Sequence, residues 1–539
     1  MSHPTVEAGD ALPLMFPKLL RERAERLGGK AFVVVDDASL SYRDADLRSR
    51  ELARALLAAG AGKGSHVGTL LPSGADLLLA CFAAMRIGAV AVPFSTFSKP
   101  RELTELLANA DVDLLLATRA HRSHDYEKTL AAAIPGLDLA GPGLLHCSSL
   151  PTLRGLHFDA PSEGVHPDWS LDRLLAGARD VDDDVLVAAE GEVAPSDRLV
   201  VIHTSGSTSA PKGVVHLHGA LLRHVDNLNE SRGYTESEVL FSNSPWFWIG
   251  GFAYTMLGTL LAGATLVTSN AAEASAVLDL LERERPTMVN GFAASVAHLP
   301  RDPSFARRDL SSIRRGNLWP ILPEGIRPKD PGLRHAMLGT TETGSVCLDA
   351  PHEDELPEHQ RGSFGRPAVG FEARIVDPER GAICAPGAVG TLHLRGPFLM
   401  EGYYGKERSE AFDADGWYDT GDLFHVDEAG LHYFHGRARD LIKSAGANVS
   451  PREVEAVIAD VSGLRAHVVG LPDAARGQRV AAAIVSDAPV DVGALEASLR
   501  ERLSSYKVPA TFLVLAEQEV PMMSSGKLDA RALRECFPR

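Results

Sequence analysis

Residues 204–213 read Thr204-Ser205-Gly206-Ser207-Thr208-Ser209-Ala210-Pro211-Lys212-Gly213 and follow an apolar run, Leu199-Val200-Val201-Ile202, that reads as a buried strand. Five hydroxyl side chains, two glycines and a lysine after such a strand make a loop suited to a triphosphate. Glycine lets backbone N–H groups approach phosphate oxygens, hydroxyls add donors, and lysine supplies a mobile positive charge. The spacing is not that of a P-loop, in which Gly-Lys-Ser/Thr opens a helix. Taken alone, the segment leaves a solvated Ser/Gly linker as the lesser alternative, and the surrounding chain has to decide.

At 539 residues the chain exceeds what one core organises, so three or four structural units are expected. Its 45% hydrophobic and 23% charged content is that of an ordinary globular protein. A net charge of −17 argues against nucleic acid as a general partner. That acidity is uneven: from Leu441 onward 12 Lys/Arg balance 12 Asp/Glu, which leaves the C-terminal part better placed to meet a polyanionic small molecule. Five cysteines without CxxC or metal spacing fit a reduced, cytoplasmic protein. The N-terminus lacks the pattern of a signal peptide. Trp246–Val267 carries no charge for 22 residues, but its glycines and threonines make it buried core rather than a membrane span.

The first 115 residues alternate strand and helix patterns: strands at Phe32–Val35, Val67–Leu71, Val90–Pro93 and Val112–Ala117, helices at Tyr42–Ala59, Ala75–Ile87 and Pro100–Ala108. Such alternation predicts parallel strands with helical crossovers, an α/β layer. Residues 120–195 carry weak periodicity and read as an irregular connection. A second α/β run starts at Leu199 and continues through Ala264–Val267 and Thr287–Asn290 to Ala336–Leu338. From about 362 to 435 short strands with turn signals predict a small β-rich unit. Ser450-Pro451-Arg452-Glu453 then reads as a capping box opening a helix. The expected domain division is 1–440 and 441–539.

Four further segments bear on the loop at 204. Gly339-Thr340-Thr341-Glu342-Thr343-Gly344 offers backbone donors, hydroxyls and a carboxylate suited to phosphate with Mg²⁺. Tyr418-Asp419-Thr420-Gly421-Asp422 places a carboxylate at a tight turn, apt for ribose hydroxyls. Gly436–Asp440 adds an arginine, and Ser524–Lys527 presents a lysine on a tail. In this order and spacing the five segments resemble the adenylate-forming superfamily of acyl- and aryl-CoA ligases, luciferases and nonribosomal peptide adenylation domains. The resemblance runs from about Leu40 to Leu533.

It implies a large N-terminal lobe of two α/β subdomains and a small β-barrel-like subdomain, followed by a small, mobile α+β cap. It implies ATP held by Thr204, Ser205, Gly206, Ser207, Thr208, Lys212, Gly339, Thr340, Thr341, Glu342, Asp422, Arg437 and Lys527, with magnesium at Thr204 and Glu342. Lys527, Lys212 and Glu342 take the catalytic roles, Asp440 the hinge, and Lys443, Ser444, Ala445 and Gly446 the coenzyme A site. Trp246, Phe247, Trp248 and Gly250, where the family commonly carries a histidine at the position of Trp248, imply an apolar acyl pocket. Two further departures stand out. Ser209 replaces a glycine, and Leu338 stands where an aromatic ring usually stacks on adenine; Trp319 is either the substitute ring or a core tryptophan.

The implied activity is activation of a hydrophobic carboxylic acid with ATP to an acyl adenylate, then transfer to coenzyme A. Transfer to a carrier-protein thiol in trans, or luciferase-like oxidation, are the alternatives. A hydrolase would want Gly-x-Ser-x-Gly or a zinc motif, and the sequence has neither. The implied partners are therefore a small carboxylic acid, ATP and coenzyme A, and a homodimer is compatible with the sequence.

Overall fold

The computed structural model of the chain describes residues 14–160, 162–204, 211–350, 355–444, 447–473, 477–503, 507–523 and 526–538. Two compact units form. The first gathers the chain through Arg361 with Pro367–Phe371 and Gly396–Ala411; the second holds Gly362–Arg366, Glu372–Arg395 and everything from Phe412.

Among the described residues, two large sheets organise the first unit. In one, seven strands lie in the order Gly402–Tyr403, Lys212–Leu217, Arg198–Thr204, Val90–Pro93, His66–Leu70, Leu114–Ala117, Gly155–Phe158. Its last five are parallel, whereas Lys212–Leu217 runs antiparallel to both neighbours. In the other, Arg315–Gly316, Met288–Asn290, Val239–Ser242, Thr265–Thr268 and Ala31–Val35 are parallel, and Ala38–Ser41 closes the edge as a hairpin.

One apolar cluster joins residues of both sheets, Val67 and Val200 with Val33 and Leu266, through the helix Ala75–Arg86 and the run Phe252–Leu261. This is why Ala75–Arg86 is apolar on every face: Leu77 to Arg86 are all buried. Arg86, fully buried, meets Glu190 Oε1 at 2.7 Å, Asp46 Oδ1 at 2.8 Å and Ser49 Oγ at 2.9 Å, so its charge is matched inside the core. The uncharged stretch after Trp246 is a π-helix over Gly250–Leu257, continued as α-helix to Ala262 and followed by the Thr265–Thr268 strand, all of it core. No helix among the described residues is long and apolar enough to cross a membrane.

The second unit holds a four-stranded antiparallel sheet, Glu372–Val376, Gly390–Arg395, Tyr418–Val426 and His432–Arg437, which is the expected β-rich part. It also holds a sheet of Ala447–Val449, Ile442–Ser444, Gly477–Val485 and Arg465–Asp473, with Thr511–Leu515 parallel to Gly477–Val485. The helices Pro451–Ser462 and Val492–Arg502 pack there over Ile442, Val468 and Val480.

Three sequence readings are corrected. Residues 120–195 are not merely irregular: they supply the helices Tyr126–Ala133 and Asp183–Gly191 and the fully buried strand Gly155–Phe158. Ser450 does not cap its helix; its hydroxyl donates instead to the His435 carbonyl at 2.7 Å. Tyr418–Asp422 is not a tight turn but the start of a nine-residue strand, kinked where Gly421 adopts φ 68° and the register slips against Gly390–Arg395.

Candidate active site

The loop at 204–213 hangs from a hairpin. Thr204 and Lys212 stand directly opposite each other as the last and first residues of paired strands, so the two ends of the hydroxyl-rich segment are held together. Ser205, Gly206, Ser207 and Thr208 lie outside the described residues.

Glu342 sits on a second hairpin, between Leu338–Thr340 and Ser345–Asp349. Thr343, fully buried, pins the turn: its hydroxyl accepts from the Thr340 N–H at 3.0 Å and donates to the Ser345 carbonyl at 2.6 Å. Gly339 is required by close approach, since a Cβ there would meet the Ser345 carbonyl oxygen at 2.8 Å. Ser345 itself holds φ 149°, a strained conformation beside the turn. His216, 1% exposed, has Nε2 2.7 Å from the Thr341 carbonyl. Burial pulls its pKa down to about 4, so the ring is neutral near pH 7 and donates from Nε2.

The two hairpins are tied by the strand Gly402–Tyr403. Tyr404 N–H bonds to the Gly213 carbonyl at 2.7 Å, Glu401 N–H to Val215 at 2.9 Å, and Met400 N–H to the Glu342 carbonyl at 2.9 Å. Adjacent strand residues face opposite ways. Tyr404 therefore leaves toward His66 and Asp111, while Tyr403 lies on the face of Lys212 and Val214. The Tyr403 hydroxyl donates to Glu342 Oε1 at 3.0 Å, and the Lys212 ammonium rests 4.4 Å from the centre of its ring. Sequence reasoning missed Tyr403 and His216; neither motif contains them, and only the strand pairings bring them in.

Of the residues expected at the acyl pocket, Trp246 is fully buried among the core side chains and Gly250 opens the π-helix. Phe247 and Trp248 instead join two rings the sequence did not single out. Phe97 meets Phe247 at 5.3 Å and Trp248 at 5.9 Å edge to face, and Trp248 meets Phe292 at 5.9 Å. Phe97 (45% exposed) and Phe292 (51% exposed) follow the carboxyl ends of Val90–Pro93 and Met288–Asn290, one from each sheet. The carboxyl edge is where open parallel sheets take ligands. Asn243 fixes Phe292 by accepting from its N–H at 2.8 Å and donating to its carbonyl at 3.0 Å.

Trp319 packs against the Leu318–Leu322 core, so the core reading of that ring holds. Leu338 is half-buried on its strand.

In the second unit Asp422, 3% exposed, pairs with Arg437 on the neighbouring strand. Asp440 ends a single turn, Ala438–Asp440, and is exposed. Lys443 and Ser444 lie on the Ile442–Ser444 strand, with Ser444 buried; Ala445 and Gly446 lie outside the described residues. Lys527 is exposed on a short loop closed by Met523 N–H to its own carbonyl at 2.7 Å.

The chain is similar to known proteins along most of its length. AMP-binding enzymes match residues 20–404, and the AMP-binding enzyme C-terminal domain matches residues 453–527. A feruloyl-CoA synthase of Amycolatopsis sp is 30% identical, over 93% of this chain and 94% of its own. An indoleacetate–CoA ligase of Aromatoleum aromaticum is 28% identical, over 95% and 96%. The solved structure of O-succinylbenzoate coenzyme A synthetase from Bacillus subtilis, in complex with ATP and magnesium ion, has a TM-score of 0.76 at 25% identity, covering 96% of this chain and 99% of that one. Matched along most of its length, the chain belongs to the family of AMP-binding enzymes.

Proposed function

We propose that the protein is an AMP-forming acid–thiol ligase that activates an apolar, ring-bearing carboxylic acid with ATP and passes the acyl group to coenzyme A. The observation that carries this reading is the meeting of Glu342 and Lys212 on one phenol, Tyr403, beside the paired ends of the 204–213 loop. A carboxylate attacking an α-phosphate brings two anions together, and fixed positive charge must offset their repulsion. Lys212 supplies such charge beside the loop, and Lys527 is the second lysine assigned to that role. Asp422 and Arg437 hold the ribose, and Gly339, Thr340 and Thr341 line the α-phosphate.

In the first step an oxygen of the acid bonds to the α-phosphorus and the bond to the pyrophosphate oxygen breaks, so pyrophosphate leaves with the electron pair. In the second, the thiol sulfur bonds to the acyl carbon, AMP departs with the electron pair of the acyl–oxygen bond, and the thiol proton is released. Lys443 to Gly446 would border the thiol's path, and Asp440 would be the hinge of a cap formed by residues 441–539.

The donors present suit magnesium. Mg²⁺ in nucleotide sites takes one or two carboxylates plus phosphate oxygens and water. Glu342, with Thr204, offers that hard-oxygen set. When bound, magnesium supplies neutralisation of the phosphate charge.

The rings of Phe97, Trp248 and Phe292 favour a planar apolar acid, since aromatic edges and faces reward such shapes. The feruloyl-CoA synthase and the indoleacetate–CoA ligase to which the chain is similar support coenzyme A over a carrier protein as acceptor. The test is carboxylate-dependent ATP–pyrophosphate exchange across fatty, aromatic and polycyclic acids, followed by coenzyme A to look for thioester. Absence of pyrophosphate release with every acid refutes the proposal.

A further inference from the structure

The Tyr403 contacts assign it a task of their own, which rests on the function just proposed: we infer that Tyr403 is a positioning residue that aims Glu342 at the metal and parks Lys212 until phosphate arrives. Three observations combine. The hydroxyl donates to Glu342 Oε1 at 3.0 Å, leaving Oε2 to a cation. The ring face carries the Lys212 ammonium at 4.4 Å, an attraction that a strong anion outcompetes. The backbone on either side is fixed independently, by Met400 N–H to the Glu342 carbonyl and by Tyr404 N–H to the Gly213 carbonyl, so the phenol is held between the two charges rather than draped over them.

The opposite charges of Lys212 and Glu342 would otherwise collapse into a salt bridge that occupies the carboxylate. A phenol inserted between them accepts the ammonium on its face and satisfies one carboxylate oxygen at its hydroxyl. Glu342 is thereby fixed in rotamer without being neutralised, and Lys212 is kept within reach of the loop it terminates. Outer partners of metal-binding carboxylates act in this way, and their loss weakens metal affinity by about 10- to 100-fold.

The experiment measures the full-length protein's affinity for ATP with Mn²⁺ and for ATP in EDTA, by calorimetry. In wild type the metal tightens ATP. Tyr403→Phe should cut that gain about tenfold or more while leaving metal-free ATP affinity within about threefold, because only the hydroxyl is lost. Tyr403→Leu should in addition weaken metal-free ATP binding, since Lys212 loses the ring and can close on Glu342. In a Glu342→Gln background, Tyr403→Phe should change nothing further. The inference is overturned if Tyr403→Phe retains the full metal-dependent gain, or if metal-free and metal-bound affinities fall together as they would from general loosening. It is equally overturned if the full effect persists beside Glu342→Gln. A wild type that binds ATP in neither condition would instead remove the proposed function itself, so the two failures are told apart by the wild-type titration.

Discussion

Arg437 donates from Nε to Oδ1 of Asp422 at 3.1 Å, and the two residues stand directly opposite each other on paired strands. The carboxylate is almost wholly buried while half the guanidinium side chain meets water, so the pair sets a buried acceptor beside a half-exposed cation. If this acceptor grips ribose hydroxyls, Asp422→Ala should raise the KM for ATP by about 10- to 100-fold, the loss of hydrogen bonds to a charged group. Against 2′,3′-dideoxy-ATP the variant and wild type should converge. A variant that still discriminates the two nucleotides as wild type does would dismiss the ribose role.

Lys527→Ala should depress carboxylate-dependent exchange by hundreds-fold or more, since one donor aimed at developing charge contributes about 3–4 kcal/mol. Conversion of a supplied acyl adenylate to thioester should be far less affected, because the attack then falls on the acyl carbon and no bond to the α-phosphorus is made or broken. Rapid-quench measurement of the two half-reactions decides it; equal losses in both would refute this division of labour.

Phe97→Ala and Phe292→Ala should each raise the KM for aromatic acids several-fold, about 1 kcal/mol per lost ring contact, and leave the KM for ATP unmoved. Trp246→Phe, by contrast, should act through stability, since Trp246 is core. Unaltered acid selectivity in both alanine variants would mean that the substrate enters elsewhere.

Burial holds His203, His216 and His218 near a pKa of about 4 and His224 near about 3. Each lies below its unfolded value of 6.5, so the unfolded chain binds more protons and stability falls as pH drops from about 6.5 toward 4, with no change above 7. Every such histidine costs about 1.4 kcal/mol per pH unit within that window. Denaturant midpoints at pH 7.5, 6 and 5 should therefore decline, and His224→Leu should flatten the decline. A slope identical in His224→Leu would show that this ring does not contribute.

Arg86→Ala should destabilise the first unit by about 3 kcal/mol, the cost of removing the buried cation between Asp46 and Glu190 and leaving Glu190 to the half-exposed Arg21 alone. Arg86→Met combined with Glu190→Gln should recover part of it. Equal midpoints for wild type and Arg86→Ala in urea would show that the buried ion pairs do not stabilise the unit.

Much of the framework was legible in the residues. The strand Val90–Pro93 and the helix Pro100–Ala108 fall where the pattern placed them, and the helix expected from Tyr42 ends at Ala58, one residue early. Periodicity works there because each element shows one face to a core. It fails at Gly155–Phe158, whose four residues are all buried and show no alternation. It also fails at Tyr418–Val426, where glycine and two aspartates look like a turn although the neighbours pull them into a ladder. At the site, the residues with conspicuous chemistry were readable: Glu342, Lys212 and Asp422. Tyr403, Phe97, Phe292 and His216 were not, because their significance comes from strand register and from which loops share a sheet edge.

The Gly250–Leu257 stretch is wound with five-residue hydrogen-bond spacing, one residue more per turn than an α-helix needs. Deleting a single residue there would let the segment rewind as an α-helix, drawing out the extra residue without turning the flanking chain. A one-residue deletion in Gly250–Leu257 should therefore be tolerated better than one in the regular helix Ala75–Arg86, where it would turn the buried side chains beyond it by about 100°.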